Sequence, residues 1–148
     1  KTLEIQPYLD KICKVHGEHN PELFEIKKEF NASAGELASH MKKEELVLFP
    51  FIRKMVKAKQ ENKDVDSAHF GTVKNPIQMM MDEHTIEGNR FRRIEELSNN
   101  YTPPHYACNT YRVSFALLKE FEQDLHLHIH LENNILFPKA IEIEKELI

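Results

Sequence analysis

Apolar residues recur at spacings of three and four along most of the chain, the period of an amphipathic helix, and polar or proline-bearing breaks separate four such stretches. Leu3, Ile5, Leu9, Ile12, Cys13 and Val15 mark the first, closed by Gly17. Asn20-Pro21-Glu22 then reads as a helix start, with asparagine as cap, proline where no N–H is needed, and an acid facing the positive end of the dipole. Leu23, Ile26, Phe30, Leu37, Met41, Val47 and Leu48 continue a second stripe to Pro50. There the missing N–H and the bulky ring predict a kink or break, with Phe51 to Val56 resuming the helix. From Lys57 to Lys74 the pattern fades into charged and amide side chains. That stretch predicts a solvated connection, whose first part reads equally well as an exposed helical tail. Asn75-Pro76 repeats the cap-then-proline signal, and Ile77, Met80, Met81, His84, Phe91, Ile94 and Leu97 form a third stripe ending near Asn99-Asn100. Beyond Thr102-Pro103-Pro104 a fourth helix is expected from about Ala107 through Tyr111, Phe115, Leu118, Phe121, Leu125 and Leu136 to Pro138, with another turn or two between Lys139 and Ile148. The expected fold is all-α, an antiparallel up-down four-helix bundle formed by residues 1–148 as one domain.

One stretch is written twice. His40, Glu44, Leu48, Phe49 and Pro50 return as His128, Glu132, Leu136, Phe137 and Pro138, every landmark displaced by 88 positions. On a helix, residues four apart share a face, so each copy sets an imidazole beside a carboxylate. His128 falls in register with Phe121, Leu125, Glu132, Ile135 and Leu136 and is expected to point into the core; His40 shares a face with Leu37, Glu44, Val47 and Leu48. Glu44 and Glu132 are then carboxylates on apolar faces, a placement costing several kcal/mol unless a cation or hydrogen-bond partner offsets it. A pair of His–Glu clamps in a repeat can hold one metal ion or share two, whereas a chance likeness between two amphipathic helices would leave them without a cation.

Other histidines sort by position. His84, on the third helix among Met80, Met81 and Ile77, is the next candidate ligand. Gly88, one turn on, either leaves a gap for a small molecule or serves helix packing, and Glu83 and Glu87 are placed to orient imidazoles or simply to face solvent. His126 and His130 are rotated about half a turn from His128 and belong outside. His40 lies some twenty residues, roughly 30 Å at ~1.5 Å per residue, from the turn near Gly17. His16 and His19 therefore stay out of the site, and the first helix reads as cut short at its N-terminus.

Composition narrows the partners. The chain of 148 residues is 41% hydrophobic and 30% charged, enough for one continuous core. Twenty lysines and arginines against 24 acids give a net charge of −4, with the basic residues scattered, which disfavours a nucleic-acid surface. No apolar run approaches the roughly 20 residues of a membrane span and no charged-then-apolar leader opens the chain, so a cytoplasmic location is expected. Cys13 and Cys108 stand alone without a Cys-x-x-Cys and are expected as reduced, packed thiols. Imidazole with carboxylate and no thiolate suits iron or manganese rather than structural zinc, and carboxylates can span two cations.

The paired His-x-x-x-Glu motifs ending in Leu-Phe-Pro, Glu83-His84 between them, and the segment Val15-His16-Gly17-Glu18-His19-Asn20-Pro21-Glu22-Leu23 resemble the hemerythrin-like domain of the RIC, or repair of iron clusters, proteins over essentially the whole chain. The resemblance implies a bundle enclosing two non-haem iron ions, oxo- or hydroxo-bridged, with Glu44 and Glu132 as bridging carboxylates and His40, His84 and His128 as terminal ligands. Two departures stand out. The family pattern has a further histidine upstream on the first helix, which Lys1 to Val15 cannot supply, and a small cysteine-bearing N-terminal domain is not found. One iron position is therefore expected to be incomplete, or filled by water, another chain or another metal, in what reads as a fragment. The function implied is repair of iron-sulfur clusters damaged by nitric oxide or oxidants, through labile iron delivered to damaged iron-sulfur proteins. The alternatives are a di-iron nitric oxide or oxygen reductase, and a carrier or sensor of those gases.

Overall fold

A computed structural model describes residues 2–65 and 70–147. The helices are α1 (Thr2–His16), α2 (Glu22–Lys43), α3 (Phe49–Gln60), α4 (Lys74–Leu97), α5 (Asn109–Leu131) and α6 (Phe137–Leu147). Single π-helical turns, Glu44–Leu48 and Glu132–Leu136, join α2 to α3 and α5 to α6, so the described residues form four helical stretches, as the apolar pattern predicts, and no β-strand.

Pro50 and Pro138 do not break these helices. Each follows a π turn in which the N–H of Phe49 bonds the carbonyl of Glu44, and that of Phe137 the carbonyl of Glu132. The turn absorbs the donor that proline lacks by widening the helix rather than ending it. The helix runs past Pro138 to Leu147, where another turn or two was expected, and the fourth helical stretch begins at Asn109, two residues after the expected start near Ala107. The widened turns also re-aim side chains: Val47 and Ile135, expected on the inward stripe, are 36% and 45% exposed, while Leu48 and Phe137 are buried. Met41, Leu3 and Val15, counted in the same stripes, are exposed as well.

The chain gathers into two compact units. The first comprises 1–36 with 86–127, the second 37–85 with 128–148. In the first, Ile5, Leu9 and Ile12 of α1, Leu23, Ile26 and Phe30 of α2, Phe91 and Ile94 of α4, and Tyr111, Phe115 and Leu118 of α5 are buried. Phe30 and Phe121 meet edge to face at 5.4 Å, and Phe91 stacks on Phe121 at 5.5 Å. The Asn20 carbonyl accepts the Leu23 N–H at the start of α2, and its side-chain amide oxygen accepts the Tyr106 hydroxyl. After α4, Asn99, Asn100 and Tyr101 take positive φ in succession. That costs about 1–2 kcal/mol each outside glycine. Ser98 Oγ accepts the Tyr101 N–H, and the Tyr101 hydroxyl donates to buried Glu122.

In the second unit, Leu48, Phe51, Ile52, Met55, Val73, Ile77, Met80, Phe137 and Ala140 form one apolar cluster. The connection expected to be solvated contributes to it: Val73 is buried, and Val65 and Phe70 pack against it, Phe70 meeting Phe51 edge to face at 5.0 Å. Its residues 66–69 lie outside the described residues. The start of α4 is held by Glu144 of α6, which accepts the Val73 N–H at 2.7 Å and the Thr72 hydroxyl. Asn75 is not the cap; its amide donates to the Phe70 carbonyl.

Candidate metal centre

The repeat delivers its residues to one place. His40 lies in the last turn of α2, Glu44 opens the first π turn, His128 lies near the end of α5, Glu132 opens the second π turn, and His84 projects from the middle of α4. One ligand atom from each of these five lies within 4.8 Å of all the others. All five belong to the second unit. His84 Nε2 stands 2.9 Å from Glu132 Oε1 and 3.3 Å from His40 Nε2. His128 Nε2 is 3.1 Å from Glu132 Oε1 and 3.8 Å from Glu44 Oε1, and His40 Nε2 contacts Glu44 directly.

Burial makes this arrangement costly without a cation. Glu44 has no exposed surface and Glu132 is 4% exposed, yet among the described residues none of their four carboxylate oxygens has a hydrogen-bond partner of good geometry, nor does buried His128 Nε2. A buried, unsatisfied carboxylate costs several kcal/mol. Protons on the imidazoles can do part of the work a cation would do. Burial opposes charge on His40, but its contacts with Glu132 and Glu44 outweigh that and raise it to about 9. Contacts with Glu132 and then Glu44 lift His128 to about 10 against desolvation. Burial likewise works against ionised Glu132, but His128, His40 and His84 together hold it well below the usual carboxylate range. Two carboxylates without hydrogen-bond partners, converging with three imidazoles, fit a non-haem di-iron centre: the oxygens are hard, able to bridge and charge-balancing, and among the described residues no thiolate joins the cluster.

The surroundings divide the remaining candidates. Glu83 sits 3.8 Å from His40 Nδ1 and 3.2 Å from Lys43 Nζ, beside an imidazole as its position suggests. Glu87 does not orient an imidazole; it is buried in the first unit, accepting the Ser33 hydroxyl and, at 2.6 Å, the Arg90 guanidinium, and burial raises its carboxyl despite them. Gly88 does open a gap: a Cβ there meets nothing within 4 Å, and it lines a cleft of about 640 Å³ with Arg92, Glu95, Glu122 and His126, none of them a member of the five. His126 and His130 lie outside as expected, against Glu122 and Asn134. Cys108 is not a packed thiol but an exposed one, 3.2 Å from His16 Nε2, whereas Cys13 is buried. Sequence reasoning missed Asn133, whose Oδ1 lies 2.8 Å from His84 Nδ1. No spacing signal picks out that residue, because its partner is on another helix.

A family model described as the hemerythrin HHE cation binding domain matches residues 3–140. The chain belongs to that family. Its hemerythrin-like four-helix fold and the enclosed His–Glu cluster answer to that description. The chain is also similar to proteins named iron-sulfur cluster repair protein YtfE from Yersinia pseudotuberculosis serotype IB (strain PB1/+) and Yersinia pestis (strain Pestoides F). Each is 37% identical over 132 residues, 89% of this chain and 54% of the relative. A third, from Y. pseudotuberculosis serotype O:1b (strain IP 31758), is 36% identical over the same share. The hemerythrin-like chain thus spans about half the length of the curated relatives it matches.

Proposed function

We propose that this hemerythrin-like domain holds two non-haem iron ions and serves in the repair of damaged iron-sulfur clusters, supplying iron to the damaged protein. In this reading Glu44 and Glu132 would hold the iron through their carboxylates, and His40, His84 and His128 through their imidazole nitrogens. The observation that carries it is the pair of buried carboxylates, without hydrogen-bond partners among the described residues, that converge with three imidazoles; the relatives' name supplies the repair context. When bound, the iron pair supplies both transferable metal and redox chemistry. The chain's own contribution is reversible binding, because each imidazole and carboxylate can exchange its metal for a proton. Of the three imidazoles His128 is nearest solvent, its side chain 37% exposed against 3% for His40 and His84, so it is the one that water or an acceptor would reach most easily.

The partners in this proposal are damaged iron-sulfur proteins, met in the cytoplasm. No helix of the described residues is long and apolar enough to cross a membrane. The open edge at His128 also favours a second reading, in which nitric oxide or dioxygen reaches the centre and is bound or reduced there. Transfer is tested by loading the protein with iron and presenting it to an apo acceptor of an iron-sulfur cluster. Acceptor activation faster than with an equal amount of free ferrous iron supports repair by donation. Activation no faster than with free iron counts against it, and formation of nitrous oxide with turnover favours the second reading.

A further inference from the structure

His84 is fixed from three sides by a single segment. Glu132 faces its Nε2 at 2.9 Å, Asn133 Oδ1 meets its Nδ1 at 2.8 Å, and the Phe137 ring lies parallel to the imidazole, 7° between planes and 6.1 Å between centroids. An imidazole that ligates through Nε2 must carry its proton on Nδ1, and that proton needs an acceptor when the ring is buried. His84 is 4% exposed. The amide oxygen of Asn133 is that acceptor, and it adds no charge.

The sequence repeat is not symmetric here. In the first copy, the position matching Asn133 is Glu45, which is exposed. His40 has a charged neighbour from another helix instead, Glu83, which also contacts Lys43. We propose that Asn133 is a positioning residue for His84: it fixes the ring's tautomer and rotation so that Nε2 points at the metal, and it gives the two halves of the centre unlike nitrogen ligands, one backed by a neutral amide and one by a carboxylate. The inference rests on the reading that His84 is a ligand.

The test compares the chain with its Asn133→Leu and Asn133→Asp variants, each prepared metal-free. Ferrous iron is titrated in competition with a chromophoric chelator, Co2+ absorption spectra report ligand geometry, and melting of the metal-free proteins reports the fold. Loss of such a partner typically weakens metal binding about 10- to 100-fold. The expectation is a loss of that order in Asn133→Leu with a changed Co2+ spectrum and a metal-free melting temperature near the parent's, and recovery of affinity in Asn133→Asp, which keeps an acceptor oxygen. If Asn133→Leu does not fold, Asn133→Ala carries the same expectation. Parent-like affinity and spectrum in the Leu or Ala variant overturn the proposal, as does a loss that Asp fails to restore. Failure of the parent chain itself to bind iron overturns the ligand assignment along with it, and is seen before any variant is compared.

Discussion

Glu44 is the residue least compatible with a metal-free role: fully enclosed, close to His40 and His128, and among the described residues without a hydrogen-bond partner for either oxygen. Glu44→Gln keeps the shape and removes the charge, so iron should fall below the parent stoichiometry while the metal-free protein melts no lower. Any ligand that binds only the folded state at 100 times its dissociation constant stabilises by about 2.7 kcal/mol. Iron should therefore raise the parent's melting temperature and leave that of Glu44→Gln nearly unmoved; an equal rise in both sinks the bridging role. Protonation gives a second expectation. Because His40 and His128 are raised above 6.5 in the folded protein, the stability they contribute is complete below about pH 6.5 and is lost as pH climbs through about 9 and 10. Glu132, held low, contributes stability above its ordinary 4.5 and loses it in more acid solution. The metal-free protein should melt highest between about pH 4.5 and 6.5, while iron affinity rises from pH 6.5 to about 9 as ligand nitrogens shed protons more easily. Melting curves and iron titrations across that range check both trends. Four of the five cluster residues were legible because an imidazole and an acid four apart, repeated, leave a mark in one dimension; His84 was legible from its place on the third apolar stripe and from the family resemblance. Asn133, the burial of Glu87 against Ser33 and the exposure of Cys108 were not, since each depends on which other helix lies opposite.

At the scale of the element, the informative feature is where the π turns fall. Both begin at a cluster glutamate and end just before Phe-Pro, so the residue that meets the metal site and the proline that lacks a donor bracket the same wide turn. The sequence shows the proline but not how its missing N–H is accommodated, and kink, break and π turn all answer it. The π turn is the one found, and it sets Leu48 inward and Val47 outward. Pro50→Ala restores a donor for the Leu46 carbonyl and removes the cause of the widening. The metal-free variant should melt at or above the parent temperature, while its iron affinity falls because Glu44 and the residues after it no longer keep their relative rotation. Affinity equal to the parent's would mean that packing, not proline, holds the turn. The four stripes predicted the helices well, because apolar spacing of three and four sustained over about twenty residues matches the helical period and not the two-residue period of a strand. They failed at positions such as Val47 and Ile135, where one wide turn shifts the face.

Across the molecule, the two units divide the tasks. The five-residue cluster belongs wholly to 37–85 with 128–148, and the aromatic core of Phe30, Phe91 and Phe121 wholly to 1–36 with 86–127. Sequence alone showed helices passing through both units but no division, because α2, α4 and α5 each contribute to both without a break in pattern. The division predicts that stability and metal binding can be changed separately. Phe91 is fully buried between Phe30 and Phe121. Truncating such a ring to alanine costs about 3–5 kcal/mol. Against a typical domain stability of about 5–15 kcal/mol, that leaves most molecules folded under mild conditions. Phe91→Ala should therefore lower the denaturant midpoint strongly, while the folded fraction, isolated at low temperature, binds the parent's complement of iron with parent affinity. Glu44→Gln should do the reverse. If Phe91→Ala instead loses iron in proportion to its loss of stability, the ligands are held by the cooperative fold of the whole chain, and the iron site cannot be assigned to the second unit alone.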